Sequence, residues 1–139
     1  MTRTLLTLAA GIGVGAIAMA AAHDDGERVA TISERNITEK LDGKEAKATV
    51  VEVTLEHGQA GVPHRHPGPG FGYVLEGEYE WAVDDQPAKV LKAGETFYEP
   101  TGCLHRVSKN ASAKGKTRIL AVVLHPRDAE QIAIPEPKK

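Results

Sequence analysis

Short runs of β-branched residues, bounded by glycine, proline and aspartate turns, constrain the fold of this chain more than any other feature. The clearest run is Ala-Lys-Ala-Thr-Val-Val-Glu-Val-Thr-Leu at 46–55, which is typical of a strand. An edge strand is expected at 32–38, before this run. Shorter strands are expected after it, at 72–75, 78–83, 88–91, 96–98 and 118–124. Because turn signals are closely spaced and no helical period is convincing, the sequence predicts an all-β chain, and the strand count suits a jelly-roll barrel.

The first 22 residues have the pattern of a secretory signal peptide. A short basic region with Arg3 precedes an apolar stretch at 5–18, and Ala18-Met19-Ala20 has the small residues of a cleavage site. The apolar stretch is short for a membrane span and no basic cluster follows it, so we expect no stable membrane anchor after cleavage. The chain is therefore predicted to be periplasmic or secreted. It divides into a signal peptide at 1–22, an N-terminal arm with an edge strand at 23–45, a barrel at 46–126 and a C-terminal arm at 127–139.

The size and charge of the chain limit the functions that it can have. The mature chain of about 115 residues suffices for one domain with a small closed core. Its acids and bases are interspersed, with a formal net charge of -2, and it has two Phe, three Tyr and one Trp. Without a basic stripe or aromatic stacking surfaces, a nucleic-acid partner is not expected. The single cysteine, Cys103, cannot form an internal disulfide; its apolar neighbours favour packing over a reactive thiol facing a pocket.

Three histidines form the pattern that most directly indicates a functional site. His64 and His66 are one residue apart, so an extended backbone directs both imidazoles to the same face. His105 follows in a Pro-Thr-Gly-Cys-Leu-His segment. If it lies on a neighbouring strand, the three neutral nitrogen donors suit a transition metal better than calcium or magnesium. The alternative for His64 and His66 alone is a surface or hydrogen-bonded pair.

The same histidines belong to two motifs that resemble those of the cupin superfamily. The first family motif is Gly, five residues, His-x-His, three or four residues, Glu, six residues and Gly. It is matched by Gly58, His64, His66 and Gly77. The second is Gly, five residues, Pro-x-Gly, two residues, His, three residues and Asn. It is matched by Gly94, Pro100, Gly102 and His105, whereas Asn110 comes one position late.

This resemblance implies a single-domain cupin jelly-roll β-barrel that holds a divalent transition metal, Fe, Cu, Zn, Ni or Mn, through His64, His66 and His105. It also implies a small-molecule ligand or substrate and a homodimer. A chain exported unfolded acquires its metal outside the cytoplasm, where the affinity order favours copper and zinc.

One departure from the family pattern leaves the set of metal ligands undecided. The family glutamate ligand is expected four residues after His66, where this chain has Gly70. The pocket therefore holds metal with three histidines, takes a substitute donor from elsewhere in the barrel, or has lost metal. The candidate donors are Tyr98, Glu99, Glu76, Glu78 and Glu80, and for the acids we expect solvated side chains because charged residues are mostly exposed.

Two function classes remain. The first is an exported metalloenzyme, most concretely a dioxygenase-like oxidoreductase, since the resemblance includes dioxygenases with three-histidine sites. The second is a non-catalytic module that binds a small molecule or a metal. No residue has an obvious general-base position, which argues against hydrolysis and isomerisation. His57 and His125 are expected at the surface or as caps, and Arg106 is expected to point away from His105.

Overall fold

The computed structural model describes residues 26–137 as ten β-strands and their connections. The strands are β1 (Arg28–Leu41), β2 (Lys44–Leu55), β3 (His64–Arg65), β4 (Gly70–Glu76), β5 (Glu78–Val83), β6 (Lys89–Lys92), β7 (Thr96–Glu99), β8 (Leu104–Asn110), β9 (Thr117–Pro126) and β10 (Ile134–Pro135). Within this part of the chain, no helix has the length and hydropathy needed to cross a membrane.

The strands form two five-stranded antiparallel sheets. The first has the order β1-β2-β9-β4-β7 and the second has the order β10-β3-β8-β5-β6. β2 and β9 pair over ten residues, from Ala46 with Pro126 to Leu55 with Thr117. The all-β prediction is confirmed.

Apolar side chains from both sheets fill the space between them. Leu55, Val74 and Ile119 from the first sheet pack with Tyr79 and Val83 from the second, and each is at most 2% exposed. Burial of such side chains contributes roughly 1.5–3 kcal/mol each to folding. The core therefore lies between the sheets and sets the distance across which their inward-facing residues meet.

Several strands differ from the sequence prediction. β1 spans Arg28–Leu41 instead of 32–38, because its whole length pairs with β2 even though its side chains are largely exposed. β8 was not predicted as a strand, since its residues Leu104–Asn110 include alternating polar side chains on both faces. The C-terminal segment contributes β10, which pairs with β3. The predicted signal peptide at 1–22 lies outside the described residues.

Two glycines of β4 make room for side chains of the neighbouring strand β7. Gly72 faces Phe97 and Gly70 faces Glu99 in the register of the two strands. A Cβ at Gly72 would lie 1.9 Å from the Phe97 ring, so glycine is required there for the ring to enter the core. The inward-facing side chains of β7 thus occupy the space over the glycines of β4.

Candidate metal centre

The three predicted histidines converge on one point inside the barrel. His64 in β3 is the register partner of His105 in β8, and His66 follows His64 on the same side. The ring of His64 lies 4.8 Å from that of His66 and 4.9 Å from that of His105, between centroids. One nitrogen from each ring lies within 4.8 Å of the other two. The strand geometry thus brings together the three residues that the motifs indicate.

Backbone carbonyls fix the orientation of two of the rings. The Nδ1 of His64 is 2.8 Å from the Val62 carbonyl oxygen, and the Nδ1 of His66 contacts the Ile132 carbonyl oxygen. Since a carbonyl only accepts hydrogen bonds, each Nδ1 carries the proton and each Nε2 keeps its lone pair. The two Nε2 atoms are 3.2 Å apart. Both lone pairs therefore face the centre of the site.

The segment that supplies the Ile132 carbonyl is attached to the histidine strand at three further points. β10 pairs with β3, and the Glu136 backbone N–H donates to the Pro63 carbonyl at 2.8 Å. The Arg65 guanidinium forms an ion pair with Glu136 at 3.0 Å. The orientation of His66 thus depends on residues about seventy positions away in the sequence.

A chain of hydrogen bonds orients the third ring. The Tyr79 hydroxyl donates to Ser108 Oγ at 2.9 Å, and Ser108 Oγ donates to Glu27 Oε2 at 3.2 Å. The Tyr79 oxygen is 3.2 Å from His105 Nε2 and can only accept a hydrogen bond from it, because its own proton is used on Ser108. His105 Nε2 is therefore protonated, and its Nδ1 lone pair faces the site. Such outer hydrogen bonds are typical of metal-binding histidines.

Glu99 completes the set of converging atoms. Its Oε2 is 3.1 Å from His66 Nε2 and its Oε1 is 3.1 Å from His105 Nδ1. The Trp81 indole N–H donates to Oε1 at 2.9 Å, and Glu99 is 2% exposed. The expectation of a solvated carboxylate is wrong for Glu99, because the inward parity of β7 and the missing side chain at Gly70 place it in the interior.

Burial and hydrogen bonding shift the pKa values of this cluster in different directions. Burial lowers the pKa of His105 to about 4 despite the nearby Glu99 charge, so its imidazole is neutral. Burial also lowers the pKa of His66, but the protonated ring can donate to both Glu99 and the Ile132 carbonyl, and these hydrogen bonds leave that pKa above its ordinary value. Burial raises the pKa of Glu99, but hydrogen bonds from the protonated form of His66 and from the Trp81 indole hold it below its usual range. The carboxylate form is thus favoured.

A cavity of about 90 Å³ adjoins the histidines between the two sheets. Glu27 reaches into it, and burial raises the pKa of this carboxyl even though His64 and the Ser108 hydrogen bond oppose the shift. The volume corresponds to roughly three liquid waters or a small organic molecule. Its other walls are mostly apolar and include Val51, Val53, Phe97, Ile119 and Val123.

The other candidate donors lie away from the cluster. Tyr98 is 51% exposed on the outer face of β7. Glu76 pairs with Arg118 at 3.6 Å, Glu80 pairs with Lys109 at 3.8 Å, and Glu78 is half-buried at the start of β5. Glu27, Tyr79 and Ser108 were not identified from the sequence. They belong to no motif, and only the strand pairing shows that they share the barrel interior.

The other residues named in the sequence analysis lie outside the histidine cluster. His57 is exposed and Arg106 donates to the Asp84 and Gln86 carbonyls away from the site, as predicted. Cys103 packs in the core, where burial raises its pKa to about 11, so the packing prediction is confirmed. His125 was expected at the surface or as a cap, and the surface alternative is wrong. It is 2% exposed because β9 turns it inward, and its ring hydrogen-bonds Thr49 and the Pro126 carbonyl.

Comparison with known proteins agrees with this architecture. The family model described as "Cupin domain" matches residues 51–123, which is just over half of the chain. No protein of curated function matches the sequence significantly.

Solved structures share the fold at low sequence identity. A conserved protein with a double-stranded β-helix domain from Klebsiella pneumoniae is 20% identical, with a TM-score of 0.61, and covers 84% of this chain and 91% of its own. KdgF from a Halomonas species is 18% identical, with a TM-score of 0.60 and coverages of 79% and 88%. A recombinant oxalate oxidase in complex with glycolate is 21% identical, with a TM-score of 0.58 and coverages of 82% and 59%. With the barrel topology and the family match in agreement, the chain belongs to the cupin family.

Proposed function

We propose that this protein binds one divalent transition metal ion through His64, His66 and His105. The donor set fits such an ion: three imidazoles oriented by outer hydrogen bonds suit zinc, copper, iron, nickel or manganese better than calcium or magnesium.

One observation carries this proposal. His64 and His66 donate their outer N–H groups to carbonyl oxygens, so their inner nitrogens cannot donate to one another across 3.2 Å. The inner nitrogen of His105 faces the Glu99 carboxylate, which also only accepts. Acceptor atoms at such distances repel unless a cation lies between them. A proton can join one pair of acceptors at a time, whereas a metal ion satisfies all of them together.

We further propose that the site is that of a dioxygenase-like enzyme acting on a small organic molecule with at least one oxygen donor. The ion, when bound, would supply Lewis-acid and redox chemistry. The apolar walls of the cavity would exclude water and hold the carbon body of the substrate. Glu27, whose carboxyl pKa is raised by burial, is placed to hold a proton at the wall of the cavity. The similar oxalate oxidase was solved with a ligand of this size, glycolate.

The alternative is a non-catalytic cupin that binds a metal or small molecule. The two functions differ in whether dioxygen is consumed when candidate substrates are added to the metal-loaded protein. The Glu27 carboxyl in the cavity favours the enzyme, because a storage or sensing site does not require an ionisable group beside the bound molecule.

Metal content of the purified protein tests the binding proposal. We expect about one transition metal ion per chain by elemental mass spectrometry, and none in the His64→Ala/His66→Ala variant. A matched control is His57→Ala, which replaces an exposed histidine outside the cluster and should retain metal. Full metal content in the double variant would reject the ligand assignment, provided that both variants remain folded by circular dichroism.

We also propose that the protein is exported and forms a homodimer. Export rests on the signal-peptide pattern at 1–22 and is tested by the mass of the mature chain in the periplasmic or secreted fraction.

The proposed dimer rests on resemblance to other cupins and on adjacent exposed rings of Phe71 and Tyr98, 5.1 Å apart between centroids. Light scattering would determine the mass of the assembly.

A further inference from the structure

Glu99 has the position of the carboxylate that the cupin motif lacks at Gly70. The two residues are directly opposite each other in the pairing of β4 and β7. A Cβ built on Gly70 would point at Glu99, 3.6 Å from its Cβ and 3.6 Å from its Oε2, and would lie 3.8 Å from His66 Cδ2. A side chain on residue 70 and the side chain of Glu99 would therefore enter the same space beside His66.

We propose that Glu99 is the fourth, anionic ligand of the metal ion, supplied by β7 in place of the family glutamate on β4. This inference rests on the proposed metal site. Gly70 and Glu99 then form a complementary pair: the glycine leaves the space that the carboxylate of the neighbouring strand fills.

The distances fit a ligand. Metal–ligand distances of 2.0–2.2 Å place neighbouring donor atoms about 2.8–3.6 Å apart, at the shorter end in octahedral sites and at the longer end in tetrahedral sites. Glu99 Oε2 lies 3.1 Å from His66 Nε2 and Oε1 lies 3.1 Å from His105 Nδ1. The separation of the inner nitrogens of His64 and His66, 3.2 Å, is in the same range.

The charge of Glu99 also calls for a cation. The carboxylate is 2% exposed, and among residues 26–137 the basic side chains within ion-pair distance of it are the imidazoles of His66 and His105, with no Lys or Arg. Isolated buried carboxylates are costly unless a charge compensates them. A divalent ion held by three neutral imidazoles would compensate this charge and keep a net positive charge for an anionic substrate.

Metal titration of the full-length protein, after chelator treatment, tests the ligand role. Co²⁺ is the probe, because calorimetry gives its affinity and its visible spectrum reports its coordination. Glu99→Gln keeps the size of the side chain and a carbonyl acceptor for Trp81 but removes the charge. We expect its Co²⁺ affinity to fall more than about 100-fold, beyond the 10- to 100-fold typical of an outer partner, and its spectrum to change. The control Glu76→Gln, an exposed acid on β4, should bind as the wild type does.

Moving the carboxylate back to β4 provides the decisive variant. Residue 70 does not have a left-handed backbone, and its Cβ meets only ordinary contacts, so Gly70→Glu/Glu99→Ala is sterically allowed. We expect this variant to recover Co²⁺ affinity to within about tenfold of the wild type, whereas Glu99→Ala alone does not.

The outcomes separate the two proposals. If the wild type binds Co²⁺ and Glu99→Gln binds it equally well with an unchanged spectrum, the ligand role of Glu99 is rejected while the three-histidine site stands. A folded Gly70→Glu/Glu99→Ala variant that does not recover Co²⁺ affinity also rejects the ligand role of Glu99. This result is expected if Glu99 acts only as an outer hydrogen-bond partner, because that role would not transfer to β4. If the wild type binds no metal, the proposed function itself fails. If the double variant does not fold, the Glu99→Gln affinity and spectrum decide alone.

Discussion

At the residue scale, the Trp81–Glu99 hydrogen bond links the core to the candidate metal centre. Trp81 is 7% exposed and packs against Phe97, with ring centroids 5.5 Å apart. Its indole N–H donates to the buried carboxylate, whose other side-chain partners among residues 26–137 are the two histidines. A hydrogen bond to a charged group contributes more than one between neutral groups. Trp81 therefore has a polar role as well as a packing role.

Trp81→Phe should destabilise the protein by about 2–4 kcal/mol, because it combines loss of the hydrogen bond to a buried carboxylate with loss of packing volume. Urea unfolding of the chelator-treated protein measures this change. The same substitution in a Glu99→Ala background should cost less, since there the carboxylate is already gone. Equal costs in the two backgrounds would show that Trp81 acts through packing alone.

At the scale of elements, Asn110 at the end of β8 links the β8–β9 connection to the end of β2. Its side-chain amide donates to the Leu55 and Gly115 carbonyls at 3.0 Å each, and its side-chain oxygen accepts from the Ser112 backbone N–H at 2.8 Å. The residue is 4% exposed. It thus fixes the β8–β9 connection against the end of β2, which explains an asparagine here without any role in metal binding.

Asn110→Ala should lower the free energy of unfolding by about 2–4 kcal/mol, because it removes three hydrogen bonds and leaves buried backbone groups without partners. Metal affinity should stay unchanged, since none of the three bonds involves a histidine of the site. Denaturant unfolding and Co²⁺ calorimetry measure the two quantities. The exposed neighbour Lys109→Ala should change stability by less than about 0.5 kcal/mol; an equally small effect of Asn110→Ala would contradict the structural role.

The strand pairing also explains which parts of the site the sequence could predict. His64 and His66 follow from alternation within one strand, and His105 follows from motif spacing. Glu99 could be named as a candidate only, because its relation to Gly70 depends on the register between β4 and β7. Glu27 was hidden for the same reason: its relation to Ser108 spans 81 residues. Periodicity describes neighbours along a strand, but not the partners that a barrel brings together.

At the scale of the whole molecule, binding of the proposed metal ion is expected to stabilise the barrel, because its proposed ligands come from different strands and form a site only in the folded chain. A ligand that binds only the folded state adds about 2.7 kcal/mol at a concentration 100 times its dissociation constant. Thermal unfolding with added metal, and again after a chelator, should therefore show a reversible shift in Tm. His64→Ala/His66→Ala should show no shift; a metal-dependent shift in that variant would place the ion elsewhere.

The β10 segment has a consequence for how long an ion stays bound. Short peripheral segments open at lower free-energy cost than central strands, and the carbonyl that orients His66 belongs to Ile132, just before β10. Opening this segment frees the His66 ring to rotate while β2, β8 and β9 remain paired. We therefore expect the residence time of the proposed ion to depend on a two-residue strand at the edge of the barrel, even though its equilibrium affinity depends on residues in the interior.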